Sequence, residues 1–190
     1  MKKLFLGAVV FAAGLFGTAN AQIQEGNWMV GGQVAKMRFT NGVNLNLTPQ
    51  VGYFVKDNWA VGAQVGLDVA SAGGGTGTTT NWTLGGFTRY YFGSNEIESL
   101  LKNGRFFAEG TVGFGGINNS AGSTTNGVNL GVGAGYSYFI TKNVSLDALL
   151  KFDTVTGGGN TAGNGNLGLN VGFQIFLPTS KVKAALKDQQ

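Results

Sequence analysis

Few residues of this chain could carry out covalent or metal chemistry. The 190 residues include no histidine and no cysteine, which removes the most common general bases, thiol nucleophiles and soft metal ligands. Asp147 and Asp153 lie on one predicted strand, about 20 Å apart at ~3.3 Å per residue, so they cannot act on the same substrate atom. Glycine runs at Gly73 and Gly157 precede no helix and carry no phosphate-binding lysine. The sequence therefore predicts a protein that is not an enzyme and that holds no cofactor or metal.

Seven charged residues within the predicted strands, Asp68 and six others, share a face with small polar residues. Six of them form a candidate polar cluster: Arg89, Arg105, Glu109, Asp147, Lys151 and Asp153. Arg89 and Glu109 fall at about the same level on adjacent strands, which predicts an ion pair between them. Asp147 and Ser137 are level in the same way across the turn at Thr141. Packing and charge neutralisation are the expected roles of these residues, ahead of any functional one.

The elements that must position these residues are β-strands. The clearest is Asn166 to Leu177 (NLGLNVGFQIFL), in which apolar residues alternate with small or polar ones and Phe176 is the single exception. Alternation with period two over a whole segment is typical of a strand with two unlike faces. Similar alternation recurs at about residues 26–39, 43–55, 59–69, 82–92, 105–114, 128–140 and 144–153. The sequence therefore predicts eight strands, each about 11 residues or more and long enough to cross a bilayer at a tilt.

The predicted connections fall into two sets. Lys56–Asn58 and Thr141–Asn143 are tight turns. The connection after the fourth strand contains a predicted short helix over Asn95–Asn103, in which Asn95 and Glu98 are spaced as in a capping box. The loops after the third, fifth and seventh strands are long and rich in Gly, Ser, Thr and Asn, and they span Ser71–Thr80, Asn118–Asn126 and Gly157–Gly165. The turn after the first strand, Thr40–Gly42, is short for its side. This split predicts that both chain ends lie on the tight-turn side.

Two irregularities are predicted in the first two strands. Met37 and Phe39 fall out of phase with the alternation before them, which indicates a bulge or a register change. Pro49 lies within the second strand, where a residue without an N–H cannot donate to a ladder. We therefore expect a bulge or a locally unpaired position there.

The apolar face of the strands is predicted to face lipid and the polar face to line a lumen. The polar face consists mainly of Gly, Asn, Gln, Ser and Thr, and charged residues make up only 12% of the chain, too few for the surface of a soluble β-protein. Aromatic residues gather near the tight turns, where a membrane interface would hold them. Closing the sheet would remove the unpaired edges that lipid does not tolerate. The predicted fold class is an all-β, eight-stranded, antiparallel, up-and-down transmembrane β-barrel.

The last strand also carries the most specific family signal. The pattern Asn170-x-Gly172-x-x-Ile175-x-Leu177 is similar to the assembly signal of small outer-membrane β-barrels, the OmpX-like proteins and the membrane domain of OmpA. The mature chain resembles this family over nearly everything from Gly26 to Leu177. The resemblance implies a monomer in the cell outer membrane, with lipid and lipopolysaccharide around it and the barrel-assembly machinery as a partner.

The two ends of the chain are predicted to lie outside the barrel. Lys2 and Lys3, an apolar run to Phe16 and the A-x-A site at 19–21 are typical of a secretory signal peptide. The predicted domains are a signal peptide (1–21), an outer-membrane β-barrel (22–178) and a periplasmic tail (179–190), with both barrel ends periplasmic. That tail is too short for a peptidoglycan-binding domain. The formal charge of +4 arises mainly from lysines in the leader and tail, so no nucleic-acid partner is expected.

Two functions remain open on the sequence. The first is a structural or surface role in envelope integrity, adhesion or defence. The alternative is a narrow channel or a carrier for small hydrophobic molecules, because alternate glycines within 131–135 leave space on the polar face of the sixth strand. In a filled barrel, Phe87, Phe107 and Phe139 would occupy that space.

Overall fold

The alternating segments form eight long strands that close into a barrel. The computed structural model describes residues 23–38, 42–72, 78–92, 104–119, 124–156 and 165–179. Its strands are β1 (Trp28–Arg38), β2 (Gly42–Lys56), β3 (Trp59–Ala72), β4 (Thr78–Tyr91), β5 (Gly104–Asn119), β6 (Thr124–Thr141), β7 (Val144–Thr156) and β8 (Gly165–Leu177). Each strand pairs antiparallel with its neighbours in sequence, and β8 pairs with β1. The predicted fold class is confirmed.

The two faces of the strands separate as the alternation predicts. Large apolar side chains on the outer surface remain exposed, with Phe114 at 69% and Leu167 at 64% of their accessible area. The inner surface buries Arg89 and Glu109 almost completely. All seven charged residues assigned to the polar face are buried or half-buried in the lumen: Asp68, Arg89, Arg105, Glu109, Asp147, Lys151 and Asp153. A soluble barrel would show the opposite distribution.

Both predicted irregularities are present. The register between β1 and β2 shifts between Val34 and Lys36, slightly before the position that the sequence indicated. Pro49 pairs with Gly32 on β1, but the ladder with β3 passes from Leu47 to Gln50 with no partner for the two residues between them. The missing N–H of proline accounts for this interruption on the β3 side.

The strands extend further toward the loop end than predicted. β3 continues to Ala72 and β4 begins at Thr78, although 71–80 was predicted to be loop. β5 likewise reaches Asn119 and β6 begins at Thr124. Ladder hydrogen bonds are made by the backbone, so strands can continue where the apolar alternation that marks them in the sequence has ended.

Both tight turns are built in the same way. The register shifts between Phe54 and Lys56 before the first turn, and between Phe139 and Thr141 before the second. In the first turn Asn58 has a φ of 65°, a left-handed conformation that asparagine tolerates better than most residues.

A short segment before β1, which we call the N-terminal strap (Ile23–Asn27), lies against the first tight turn. The N–H of Asn58 donates to the carbonyl oxygen of Ile23 (2.8 Å), and the N–H of Glu25 donates to Oδ1 of Asp57 (2.8 Å). Ile23 also packs against the buried core of the barrel. Sequence reasoning missed this contact, because nothing in the alternation of the strands predicts it.

Several predicted elements lie outside the described residues. These are the signal peptide, the helix over Asn95–Asn103, the central parts of the long loops and the tail after Thr179. The domain boundaries therefore stay predictions. Among the described residues, no helix is long and apolar enough to cross a membrane.

Candidate functional site

The predicted ion pair between Arg89 and Glu109 is confirmed. These residues are direct register partners on β4 and β5, so their side chains enter the lumen at the same level. Nε and Nη2 of Arg89 donate to Oε2 of Glu109 at 2.9 and 2.6 Å. Both side chains are fully buried, which strengthens their attraction relative to an exposed pair.

A second carboxylate completes this charged group from the far wall of the barrel. Nη1 of Arg89 donates to Oδ2 of Asp147 on β7 at 2.6 Å. Oγ of Ser145 donates to the other oxygen of Asp147 at 2.8 Å. Asp147 is the register partner of Ser137, as predicted. We call Arg89, Glu109 and Asp147 the charged triad. Through Asp147 it joins β7 to two strands that are not its neighbours in the sheet, and it carries one more negative than positive formal charge.

Gln33 connects the charged triad to the loop-end part of the lumen. Its Nε2 donates to Oε1 of Glu109 (3.3 Å) and to Oε1 of Gln50 (3.4 Å). Its own Oε1 accepts a hydrogen bond from Nδ2 of Asn170 (3.1 Å). Sequence reasoning did not single out Gln33, because a neutral amide in a polar face carries no distinguishing signal.

An aromatic layer, defined by Phe54, Tyr91, Phe107 and Phe176, fills the lumen between the charged triad and the tight turns. These four side chains are 0–1% exposed. The ring centroids of Tyr91 and Phe107 lie 5.7 Å apart, and those of Phe54 and Phe176 lie 6.1 Å apart. The guanidinium of Arg89 lies 4.1 Å from the centroid of Phe107, a cation–π contact that joins the layer to the triad. Met29 and Leu149 complete this packing.

Glycines in the opposing strands accommodate the aromatic side chains. An added Cβ at Gly135 would meet the ring of Phe107, and one at Gly52 or Gly62 would meet the ring of Phe87. Phe139 is half-buried, with its ring centroid 5.5 Å from that of Phe176. The predicted filling of the lumen by phenylalanines is thus present at Gly135.

The six residues of the candidate polar cluster do not form one group. Arg89, Glu109 and Asp147 make the charged triad. Lys151 and Asp153 form a separate ion pair of 3.0 Å toward the loop end, where Asp153 is partly exposed. Arg105 lies near the tight-turn end, where its Nη1 donates to the carbonyl oxygen of Gly104 (3.0 Å). Their common face is a property of the alternation, whereas their separation reflects their different levels along the strands.

Above the charged triad the lumen contains a cavity of about 440 Å³, which we call the vestibule. All eight strands contribute to its wall. Seven of them supply chiefly amides, threonines and glycines, and β7 supplies Lys151 and Asp153. Asn46 donates from Nδ2 to Asp68 (3.3 Å) on this wall. Among the described residues, no group of three potential metal ligands is present.

Comparison with solved structures identifies the fold. No protein-family profile and no curated protein matches the chain. Neisserial surface protein A (NspA) is similar with a TM-score of 0.57 at 17% identity, over 78% of this chain and 94% of that one. The outer membrane protein OprG from Pseudomonas aeruginosa has a TM-score of 0.51 at 10% identity, over 83% and 99%. This chain has the fold of the small outer-membrane β-barrels.

Within this small outer-membrane β-barrel fold, β8 holds the four residues of the predicted assembly signal. Asn170 lies in the lumen with its bond to Gln33, and an added Cβ at Gly172 would meet the carbonyl oxygen of Gly32. Ile175 pairs with Val144 on β7 and with Val30 on β1. Leu177, expected on the lipid stripe, is only 8% exposed and pairs with the bulky Trp28. The signal role of these residues stays a prediction.

Proposed function

We propose that this chain is an integral outer-membrane barrel with a structural and surface role in envelope integrity, adhesion or defence, and without enzymatic activity. The strands, from 11 to 18 residues long, meet or exceed the length that a tilted strand needs to cross the hydrocarbon. The exposed apolar belt on the outer surface is what a lipid environment requires.

The observation that carries the structural role is the closed lumen. The aromatic layer and the charged triad fill the tight-turn half, and the N-terminal strap packs against this end. A continuous pore would have to displace Arg89, whose guanidinium is held by two carboxylates and one ring.

The alternative role as a hydrophobic carrier receives little support from the lumen. Phe107 occupies the space beside Gly135, and Leu149 lies 2.9 Å from the position of an added Cβ at Gly133. The remaining space, the vestibule, has seven amide and three charged side chains on its wall, which would lose hydrogen bonds to water without gaining a partner if an apolar molecule entered.

The orientation and partners belong to the same proposal. Aromatic pairs such as Trp28–Tyr53 and Phe106–Tyr136 lie on the outer surface near the tight turns, where they suit a membrane interface. We place that end and both termini in the periplasm and the long loops outside. Lipid and lipopolysaccharide surround a monomer, the barrel-assembly machinery inserts it, and no nucleic acid binds.

Fractionation and conductance test the proposal together. The protein is expected in the outer-membrane fraction, to migrate faster on unboiled than on boiled denaturing gels, and to give no discrete conductance in planar bilayers. A triple variant Arg89→Ala, Tyr91→Ala, Phe107→Ala, which removes the arginine that crosses the lumen and opens the aromatic layer, is the positive control for conductance. Stable channels from the unaltered protein would contradict the structural role and favour the alternative.

The assembly signal is tested on β8 itself. Ile175→Asp with Leu177→Asp is expected to abolish insertion, because charged side chains would replace the spaced hydrophobic residues. Asn166→Asp adds a negative charge at the other end of the same strand and serves as the matched control. Normal heat-modifiable protein from the double variant would refute the signal assignment.

A further inference from the structure

We propose that the vestibule is a binding site for a small, uncharged, hydroxyl-rich molecule, with saccharides as the chemical class. The proposal goes beyond the structural role and does not depend on which side of the membrane the vestibule faces. It rests on the space, the unsatisfied polar atoms and the charge balance of the cavity wall.

Glycines and short side chains create the space. Gly66, Gly115, Gly127 and Gly168 line the vestibule without side chains of their own. At Gly168 an added Cβ would meet only Oδ1 of Asn170 (3.7 Å) and Nδ2 of Asn166 (3.9 Å), which are ordinary contacts. The volume of about 440 Å³ lies within the range of small-molecule pockets. In contrast with the tight-turn half, no aromatic ring fills the space beside Gly168.

Two polar atoms on the wall have no partner among the described residues. Oε1 of Gln64 and Oδ1 of Asn81 are both buried acceptors without a hydrogen bond. Gln64 lines the vestibule and is only 6% exposed, so its oxygen is shielded from bulk water. A buried acceptor without a partner costs free energy, which a hydroxyl donor in the cavity would recover.

Donors are available on the opposite wall. Lys151 uses one of its N–H groups on Asp153, and Asn166 and Asn129 present side-chain amides to the same cavity. A hydroxyl group both donates and accepts, so a ligand with several hydroxyls matches a wall that offers acceptors on one side and donors on the other.

The charges of the wall favour an uncharged ligand. Lys151 is neutralised by Asp153, and Asp68 accepts a hydrogen bond from Asn46. Among the described residues of the wall this leaves one carboxylate, Asp68, without a cation, a single hydrogen-bonded charge rather than the clustered charges of sites that select phosphates or metal ions.

The test is a titration of the intact barrel in phospholipid nanodiscs, followed by NMR of the side-chain amides. Maltose and glucose are expected to shift the amide signals of Gln64 and Asn81 saturably, with a dissociation constant on the order of 1 mM for a ligand of this size. Spermidine and glucuronate, a cation and an anion, should shift them less. No saturable shift with either saccharide, or a stronger response to a charged probe, would overturn the proposal.

A matched pair of glycine variants assigns the binding to the vestibule. Gly168→Leu places a four-carbon side chain in the cavity and is expected to weaken saccharide binding at least about tenfold, because hydrogen bonds to the wall are lost. Gly110→Leu makes the same change on the outer surface, where an added Cβ meets only Cγ2 of Thr88 (3.5 Å). It should bind like the unaltered protein. Should Gly168→Leu fail to fold, Asn81→Ala tests the same wall, and undiminished binding by whichever variant folds refutes the site.

Discussion

The two halves of the lumen are lined by the same strands but differ in how their space is used. The tight-turn half is filled by the aromatic layer and the charged triad, and its glycines receive neighbouring rings, as Gly135 receives Phe107. The loop-end half keeps a cavity of about 440 Å³, and the space beside Gly168 is open. A glycine in an alternating strand can therefore mark either a socket for a side chain or a cavity, and the facing strand decides which.

The halves also differ in how their charges are satisfied. In the triad every donor nitrogen of Arg89 has a carboxylate or hydroxyl partner, and the group is fully buried. The Lys151–Asp153 pair is partly open to solvent, since the side chain of Asp153 is 31% exposed. We expect the charged triad to contribute to the stability of the barrel and the Lys151–Asp153 pair to contribute little to it. The following variants test this difference in order of expected size.

The largest effect is expected from Arg89→Met. The variant leaves Glu109 and Asp147 buried without their cation, which typically costs about 3–5 kcal/mol. Urea unfolding of the barrel in lipid vesicles measures the change. Lys151→Met is the matched control, with an expected loss of about 1 kcal/mol or less because its partner reaches solvent. Equal losses from the two variants would show that the halves do not differ electrostatically.

The next effect concerns packing on the two faces of β5. Phe107→Ala removes a ring from the aromatic layer and leaves a cavity, with an expected loss of about 4 kcal/mol in unfolding free energy. Phe114→Ala, on the exposed outer face, should lose about 2 kcal/mol, since lipid fills the vacated space and only the transfer term is lost. If Phe114→Ala costs as much as Phe107→Ala, the tight-turn half is not packed as described.

A smaller effect is expected where a glycine receives a ring. A Cβ at Gly52 would lie 2.9 Å from Cζ of Phe87, so Gly52→Ala should cost about 1–2 kcal/mol through overpacking. Phe87→Leu removes the obstructing ring end. In that background the cost of Gly52→Ala should largely disappear, which a double-mutant cycle measures. Additive losses would argue against this contact as the cause.

The smallest effect, with the opposite sign, is expected from Gly168→Ala. The added methyl group enters open space, and alanine restricts the unfolded chain more than glycine does, so stability should rise by about 0.5 kcal/mol. Unfolding under the same conditions as for Gly52→Ala provides the comparison. A loss above about 1 kcal/mol would mean that the space beside Gly168 is filled.

The sequence by itself determined the strands, their faces and part of the charged triad. Alternation with period two assigns each residue to a face, and this assignment needs no tertiary information. Arg89 and Glu109 also lie at similar distances from the two ends of the connection between β4 and β5, which places them level because neighbouring antiparallel strands run back alongside each other. The loop-end limits of the strands were predicted too short, since backbone pairing continues through Thr- and Asn-rich segments that lack alternation.

Only the tertiary structure decided how the lumen is divided. Asp147 reaches Arg89 across the barrel, and Gln33 reaches Glu109 from β1, between strands that share no ladder and therefore no register that could be counted. The aromatic layer, the strap and the vestibule likewise depend on the tilt and closure of the sheet. Alternation specifies on which face of a strand a residue lies. Closure of the barrel specifies which side chains it contacts there, because the distance across the lumen is set by the barrel as a whole.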